Sequence, residues 1–226
     1  MSAGKRHASV VAKCILFDLD GTLYTSAGYS DRLESEILDY VSEKLRIPEN
    51  ACKEILNERR KRLGTLTRTL ASLGIEREEF FHEMAGRLEP GDFLRKDPKI
   101  LLMLKRLRKR GFKLALVSNS GRPLVLKILE AIGLDVELFG AIVTSSEAEP
   151  KPSHASFKVA MKSLGCTARC SVYVGDRIEA ELRPAHDLGM QTILVGRKES
   201  RSSPYVNIVL ENVSDLPAVI RPSPLR

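Results

Sequence analysis

The sequence predicts an α/β protein: a parallel sheet covered on both faces by helices, with a helical bundle inserted after the first strand. Two observations predict it. Short apolar runs alternate with helical patterns through most of the chain, which implies right-handed crossovers between parallel strands. The alternation breaks once, where four amphipathic helical patterns follow one another with no strand between them.

Taken in order, Val10 to Phe17 reads as the first strand. "DRLESEILDYVSEKL" then places Leu33, Ile37, Leu38, Val41 and Leu45 on one helical face. "PENACKEILNERRKRL" opens on Pro48, a favourable first-turn residue, and continues the apolar stripe with Cys52, Ile55 and Leu56. "LTRTLASLG" carries Leu66, Leu70 and Leu73 before Gly74 stops it, and "EREEFFHEMAGRL" presents Phe80, Phe81, Met84 and Leu88. A helix over 99–110 ends at Gly111, a C-cap residue. The strand "FKLALV" and the helix "RPLVLKILEAI" follow, then a short strand over 141–144 and a helix over 153–164. "SVYVGD" is a strand, "IEAELRPAHDLG" a helix, and "QTILV" and "VNIVL" the last two strands. The expected division is an α/β core over 10–25 and 97–220, a helical insertion over 26–96, and loose ends over 1–9 and 221–226.

Composition narrows the function classes. A chain of 226 residues with 43% hydrophobic and 29% charged residues is ordinary for a soluble globular protein. No run approaches the ~18 apolar residues of a membrane span. The first apolar stretch leads straight into two aspartates without a small-residue cleavage site, so a cytoplasmic protein is expected. Four cysteines, Cys14, Cys52, Cys166 and Cys170, are too few for a disulfide framework, and "CTARC" lacks a second Cys/His pair with zinc spacing. His82, His154 and His186 show no ligand spacing. The net charge of +7 suits anionic partners such as phosphate esters. The densest basic run, "KRLRKRGFK", reads as a solvated helix face, and with five tyrosines, seven phenylalanines and no tryptophan in the chain no base-stacking platforms are interleaved with the basic residues. Nucleic acid and membrane are therefore not expected partners, and either a monomer or a homodimer is compatible with the pattern.

Ligands of open parallel sheets bind beyond the carboxyl ends of the strands. The first strand ends in Asp18, Asp20 and Thr22, and the next core strand in "SNSG", with Ser118 and Asn119. Beyond the third lies "EPKPS", holding Lys151, and the fourth ends in Gly175 and Asp176. Two aspartates placed this close repel unless a cation or proton lies between them. Carboxylates, hydroxyl and amide donors and an ammonium at one rim suit phosphoryl transfer to an aspartate, assisted by a divalent cation.

These four stretches, in this order and with a helical insertion after the first, resemble the haloacid dehalogenase superfamily of phosphohydrolases from about Ala12 to Val209. The resemblance implies a Rossmann-like core with a cap, and a Mg²⁺-dependent phosphatase of a small phosphorylated metabolite. It implies that Asp18 attacks phosphorus and that Asp20 protonates the leaving alkoxide and then activates water. Asp18, the backbone carbonyl of Asp20, and Asp176 would hold Mg²⁺. Ser118, Asn119 and Lys151 would bind the phosphoryl group, Thr22 would steady the loop, and Arg122 would flank the rim.

After Asp176 the family usually supplies a second aspartate; "GDRIEAEL" offers Glu181, one methylene longer, as a residue orienting metal-bound water, with Glu179 a weaker candidate. Retention of an acid at Asp20 argues against carbon–halogen cleavage, which needs no leaving-group protonation. Substrate choice is expected in the cap, where "RRKRLGTLTRTL" is faintly similar to pyrimidine 5'-nucleotidase-like members but lacks their aromatic residues. Arg60, Arg62, Arg68 and Arg177 are further candidates for anion contact. The alternatives are a phosphomutase using the same aspartyl phosphate, a phospho-acceptor signalling domain, and a catalytically silent member of the fold. The signalling domain is disfavoured by the chain's length and its helical insertion.

Overall fold

The computed structural model describes residues 9–196 and 203–223; of the expected loose ends, 1–9 and 221–226, residues 1–8 and 224–226 lie outside them. The chain begins with β1 (Val10–Ala12) and β2 (Cys14–Phe17). Five helices follow: α1 (Ala27–Leu45), α2 (Glu49–Leu63), α3 (Leu66–Ser72), α4 (Arg77–Arg87) and α5 (Pro90–Phe93). Then come α6 (Pro98–Lys109), β3 (Lys113–Val117), α7 (Arg122–Ile132), β4 (Ala141–Val143), α8 (Ala155–Leu164) and β5 (Ser171–Gly175). The chain continues through α9 (Arg183–Asp187), β6 (Gln191–Val195), β7 (Ile208–Leu210), α10 (Leu216–Val219) and β8 (Ile220–Pro222).

Contacts divide the chain into two compact units. One holds the sheet and comprises 1–25, 96–119 and 133–226; the other, of helices, comprises 26–95 with 120–132. The sheet has the order β4-β3-β2-β5-β6-β7, with every neighbouring pair parallel. β2 is central and buried along its whole length, as a strand covered on both faces must be. Its side chains alternate between two cores. Cys14 and Leu16 join Ala115, Val117 and Tyr173 beneath Phe157, Ala160 and Leu164 of α8. Phe157 meets Tyr173 edge-on at 5.0 Å.

The single first strand expected from the sequence is in fact two. Val10–Ala12 pairs with Ile220–Pro222 in a separate two-stranded sheet, and Lys13 marks the break. The backbone of Lys13 stays satisfied, its N–H donating to the Cys170 carbonyl and its carbonyl accepting from Lys113. Arg221 and Pro222, expected to be loose, thus belong to β8. The cysteines need a second correction, because Cys14 and Cys166 form a disulfide with Cα atoms 6.5 Å apart. The two positions are 152 residues apart in sequence, and only the packing of α8 over the sheet brings them together.

The helical unit is held by the stripes read from its sequence. Ser26 caps α1 by accepting from the Tyr29 N–H, and Thr65 does the same for Arg68 at the start of α3. Tyr40 packs edge-on against Phe80 at 5.6 Å, and Phe80 against Phe81. Lys127 of α7 donates to the Ala85 and Leu88 carbonyls at 2.8 and 2.7 Å, satisfying backbone groups at the end of α4. Among the described residues, no helix is long and apolar enough to cross a membrane.

Candidate active site

Register places the site. Phe17 of β2 is level with Leu116 of β3 and Val174 of β5, so the residues that follow all three strands emerge at one rim. Asp18 is buried, and its N–H donates to the Val174 carbonyl. The Lys151 ammonium, 1% exposed, shares its three N–H groups among four acceptors within reach: Asp18 Oδ1 at 2.5 Å, Glu181 Oε1 at 2.9 Å, Tyr173 Oη at 2.8 Å and the Val117 carbonyl at 3.0 Å. A buried ammonium survives only when paired and hydrogen-bonded, and these acceptors supply both conditions.

The remaining residues lie around this pair. Thr22 Oγ1 donates to Asp18 Oδ2 at 3.3 Å. Ser118 Oγ donates to Asp20 Oδ2 at 3.4 Å, and Tyr24 Oη donates to Asp20 Oδ1. The Asn119 side chain clamps the Lys151 backbone, donating to its carbonyl and accepting from its N–H, both at 2.8 Å. The Asn119 side chain thus fixes the stretch of chain that carries the ammonium.

Carboxylate oxygens of Asp18, Asp176 and Glu181 all lie within 4.8 Å of one another. Asp176 Oδ1 and Glu181 Oε2 are buried without hydrogen-bond partners. Orphaned buried carboxylate oxygens on two members of one such cluster fit a hard divalent cation, which takes oxygen ligands. Two glycines make the cluster possible. At Gly21, with φ +85°, a Cβ would fall 2.4 Å from Asp176 Oδ2; at Gly175 it would fall 2.4 Å from Glu181 Oε2.

Glu181 reaches the cluster from a π-helical turn, Ile178–Leu182, where the sequence predicts one continuous helix. The wider turn precedes Pro184, which has no N–H for the regular ladder; the Arg183 N–H reaches back to the Ile178 carbonyl. Glu179 is exposed and pairs with Arg183 at 3.0 Å, so it takes no part in the cluster. Arg122 opens α7 in the helical unit and Arg177 is exposed, while Arg60 pairs with Glu34 at 2.7 Å. Arg62 is exposed, as is Arg68. Tyr24 and Tyr173 contact Asp20 and Lys151, respectively, through their hydroxyls, and the motifs did not reveal them. A tyrosine inside a fully buried strand needs a polar partner for its hydroxyl, and that was the available signal for Tyr173.

Burial, and then the Asp18 charge, raise the carboxyls of Asp20 and Glu181 above the usual carboxylate range. The same causes push Asp176 from 3.8 to about 6. For Lys151, burial opposes the charge, but Asp18 and Glu181 outweigh it and keep the ammonium charged. The raised carboxyls have a measurable consequence. Between 3.8 and about 6 the metal-free native state holds a proton on Asp176 that the unfolded chain has released. This contribution to stability is present at low pH and is lost as pH rises through about 6. A divalent cation must displace the same proton. Mg²⁺ is therefore expected to raise Tm more at about pH 7.5 than at about pH 5. Thermal unfolding with Mg²⁺ and with EDTA at both pH values tests this, and an equal rise at both contradicts it.

The family model of haloacid dehalogenase-like hydrolases matches residues 12–189 of this chain. The chain is 28% identical to the glyceraldehyde 3-phosphate phosphatase of Methanocaldococcus jannaschii, over 92% of its own length and 97% of that protein's. It is 25% identical to the phosphoglycolate phosphatase of Rhodospirillum rubrum, with 84% of this chain and 81% of that protein covered. Its fold matches the crystal structure of a haloacid dehalogenase-type phosphatase from Thermococcus onnurineus with a TM-score of 0.70, at 23% identity, covering 92% and 97% of the two chains. With the catalytic motifs brought to one rim and the family model spanning them all, the chain belongs to the haloacid dehalogenase-like hydrolases.

Proposed function

We propose that this hydrolase is a Mg²⁺-dependent phosphatase acting on a small soluble phosphomonoester through an aspartyl phosphate. The observation that carries the reading is Asp18, buried and fixed by Lys151 beside two carboxylates whose inner oxygens lack partners. Relatives named as phosphatases of glyceraldehyde 3-phosphate and of phosphoglycolate support a phosphoric monoester hydrolase, and they suggest small three- and two-carbon substrates.

An Asp18 carboxylate oxygen attacks phosphorus as the ester P–O bond breaks. Asp20 gives its proton to the departing alkoxide, and the bond's electron pair leaves with that oxygen. Water then attacks phosphorus of the acyl phosphate, Asp20 takes back a proton, and Asp18 is regenerated with release of inorganic phosphate. Lys151 and Ser118 neutralise charge on the phosphoryl oxygens, and Thr22 orients the nucleophile. Mg²⁺, held by Asp18, the Asp20 carbonyl and Asp176 with Glu181 behind them, would supply further charge neutralisation.

The test is phosphate release from a panel of small esters, including phosphoglycolate and glyceraldehyde 3-phosphate, with Mg²⁺ or with EDTA. Turnover with Mg²⁺ that EDTA removes is expected. No release from any ester in the presence of Mg²⁺ contradicts the reading and leaves the mutase or the silent fold.

A further inference from the structure

We propose that Tyr24 is a positioning residue that holds Asp20 for proton transfer to the leaving group and stabilises the carboxylate formed there. The proposal rests on the phosphatase reading above. The Tyr24 main chain is tied to the loop that bears Asp20: its carbonyl accepts from the Gly21 N–H at 3.0 Å, and Asp20 and Tyr24 form a parallel β-bridge. From that anchor the half-buried phenol reaches back and donates to Asp20 Oδ1. The other oxygen, Oδ2, faces Ser118 Oγ at 3.4 Å. Tyr24 thus fixes which carboxyl oxygen is turned towards Ser118, the expected phosphoryl-binding hydroxyl.

The hydrogen bond also changes in strength during the reaction. As the ester P–O bond breaks, the proton on Oδ2 passes to the departing oxygen and Asp20 becomes a carboxylate. A hydrogen bond to an ionised acceptor is roughly twice as strong as one between neutral groups. Tyr24 therefore favours the transition state over the ground state, and only when the leaving group needs the proton. An alkoxide needs it. The p-nitrophenolate anion, with its charge spread over the ring and nitro group, does not.

The experiment compares the unaltered enzyme with Tyr24→Phe, which keeps the ring and removes the hydroxyl. The measured quantity is kcat/KM for an alkyl phosphate that the enzyme hydrolyses and for p-nitrophenyl phosphate. This constant reports the step in which the leaving group departs. The variant is expected to lose ~10- to 100-fold on the alkyl ester. The loss on the aryl ester should be at least about ten-fold smaller. A purely structural role would lower both constants together, because both esters meet the same Asp18 and the same phosphoryl site. Equal loss on the two esters, or no loss on either, overturns the role of Tyr24 while leaving the phosphatase reading intact. If the unaltered enzyme hydrolyses neither ester, the phosphatase reading fails and this role fails with it.

Discussion

Asp18→Asn is expected to abolish phosphate release, by more than about 10⁴-fold, while the protein stays folded. The substitution preserves the shape of the side chain and removes its charge. An amide cannot form the acyl phosphate, so no slower route through the same covalent step remains. Two opposing effects keep the stability change small. Asp18 loses its 2.5 Å ion pair with Lys151, but the Asp20, Asp176 and Glu181 carboxyls, all raised by the Asp18 charge, are relieved of it. Circular dichroism and a Tm within a few degrees of the unaltered protein, together with the kinetic loss, check both halves. Residual turnover within ten-fold of the starting rate contradicts a nucleophilic Asp18.

Lys151→Met is expected to damage both activity and stability. Its ammonium serves Asp18, Glu181, the Tyr173 hydroxyl and the Val117 carbonyl, in a site where Lys151 is 1% exposed and the two carboxylates are 3% exposed. Removing one partner of a buried ion pair costs about 3–5 kcal/mol, because the other charge is left uncompensated. Glu181 offers an escape. Its carboxyl is already raised by burial and by Asp18, so it takes up a proton and the loss falls near the lower end of that range. Mg²⁺ should recover part of the loss by replacing the missing positive charge beside Asp18. Catalysis should fall at least about 10³-fold, because charge on the phosphoryl oxygens loses its main fixed counter-charge. Chemical denaturation with and without Mg²⁺, and steady-state kinetics, check this. An unchanged midpoint would mean that Lys151 does not hold the cluster together.

The sequence made the sheet legible because the α/β alternation leaves a regular pattern. Buried parallel strands such as "CILF" and the "LALV" of β3 are continuous apolar runs, and each is followed by polar candidate residues at the carboxyl end. The hidden features depend on the third dimension. Nothing local to Val10–Phe17 reveals that Lys13 ends one pairing and begins another, since the partner of β1 is a strand some 200 residues away. The Cys14–Cys166 pair is hidden for the same reason. Glu181 was legible as a departure from the family pattern. The π turn that carries it, and the missing Cβ of Gly175 that makes room for its carboxylate, were not. Residue type makes Asn119 a candidate phosphate ligand but does not reveal the contacts its side chain makes with the Lys151 backbone, which only the fold shows. Residue type indicates what a side chain can donate or accept; only packing determines which partner it meets.

In the proposed reaction the phosphoryl group passes through Asp18. Acid quenching during turnover, followed by digestion and mass spectrometry, tests it most directly. A labile phosphoryl group is expected on the peptide containing "ILFDLDGTLY", located at Asp18 and absent from Asp18→Asn. A phosphoryl group on Asp20 or elsewhere, or release of phosphate without any labelled peptide, would contradict it.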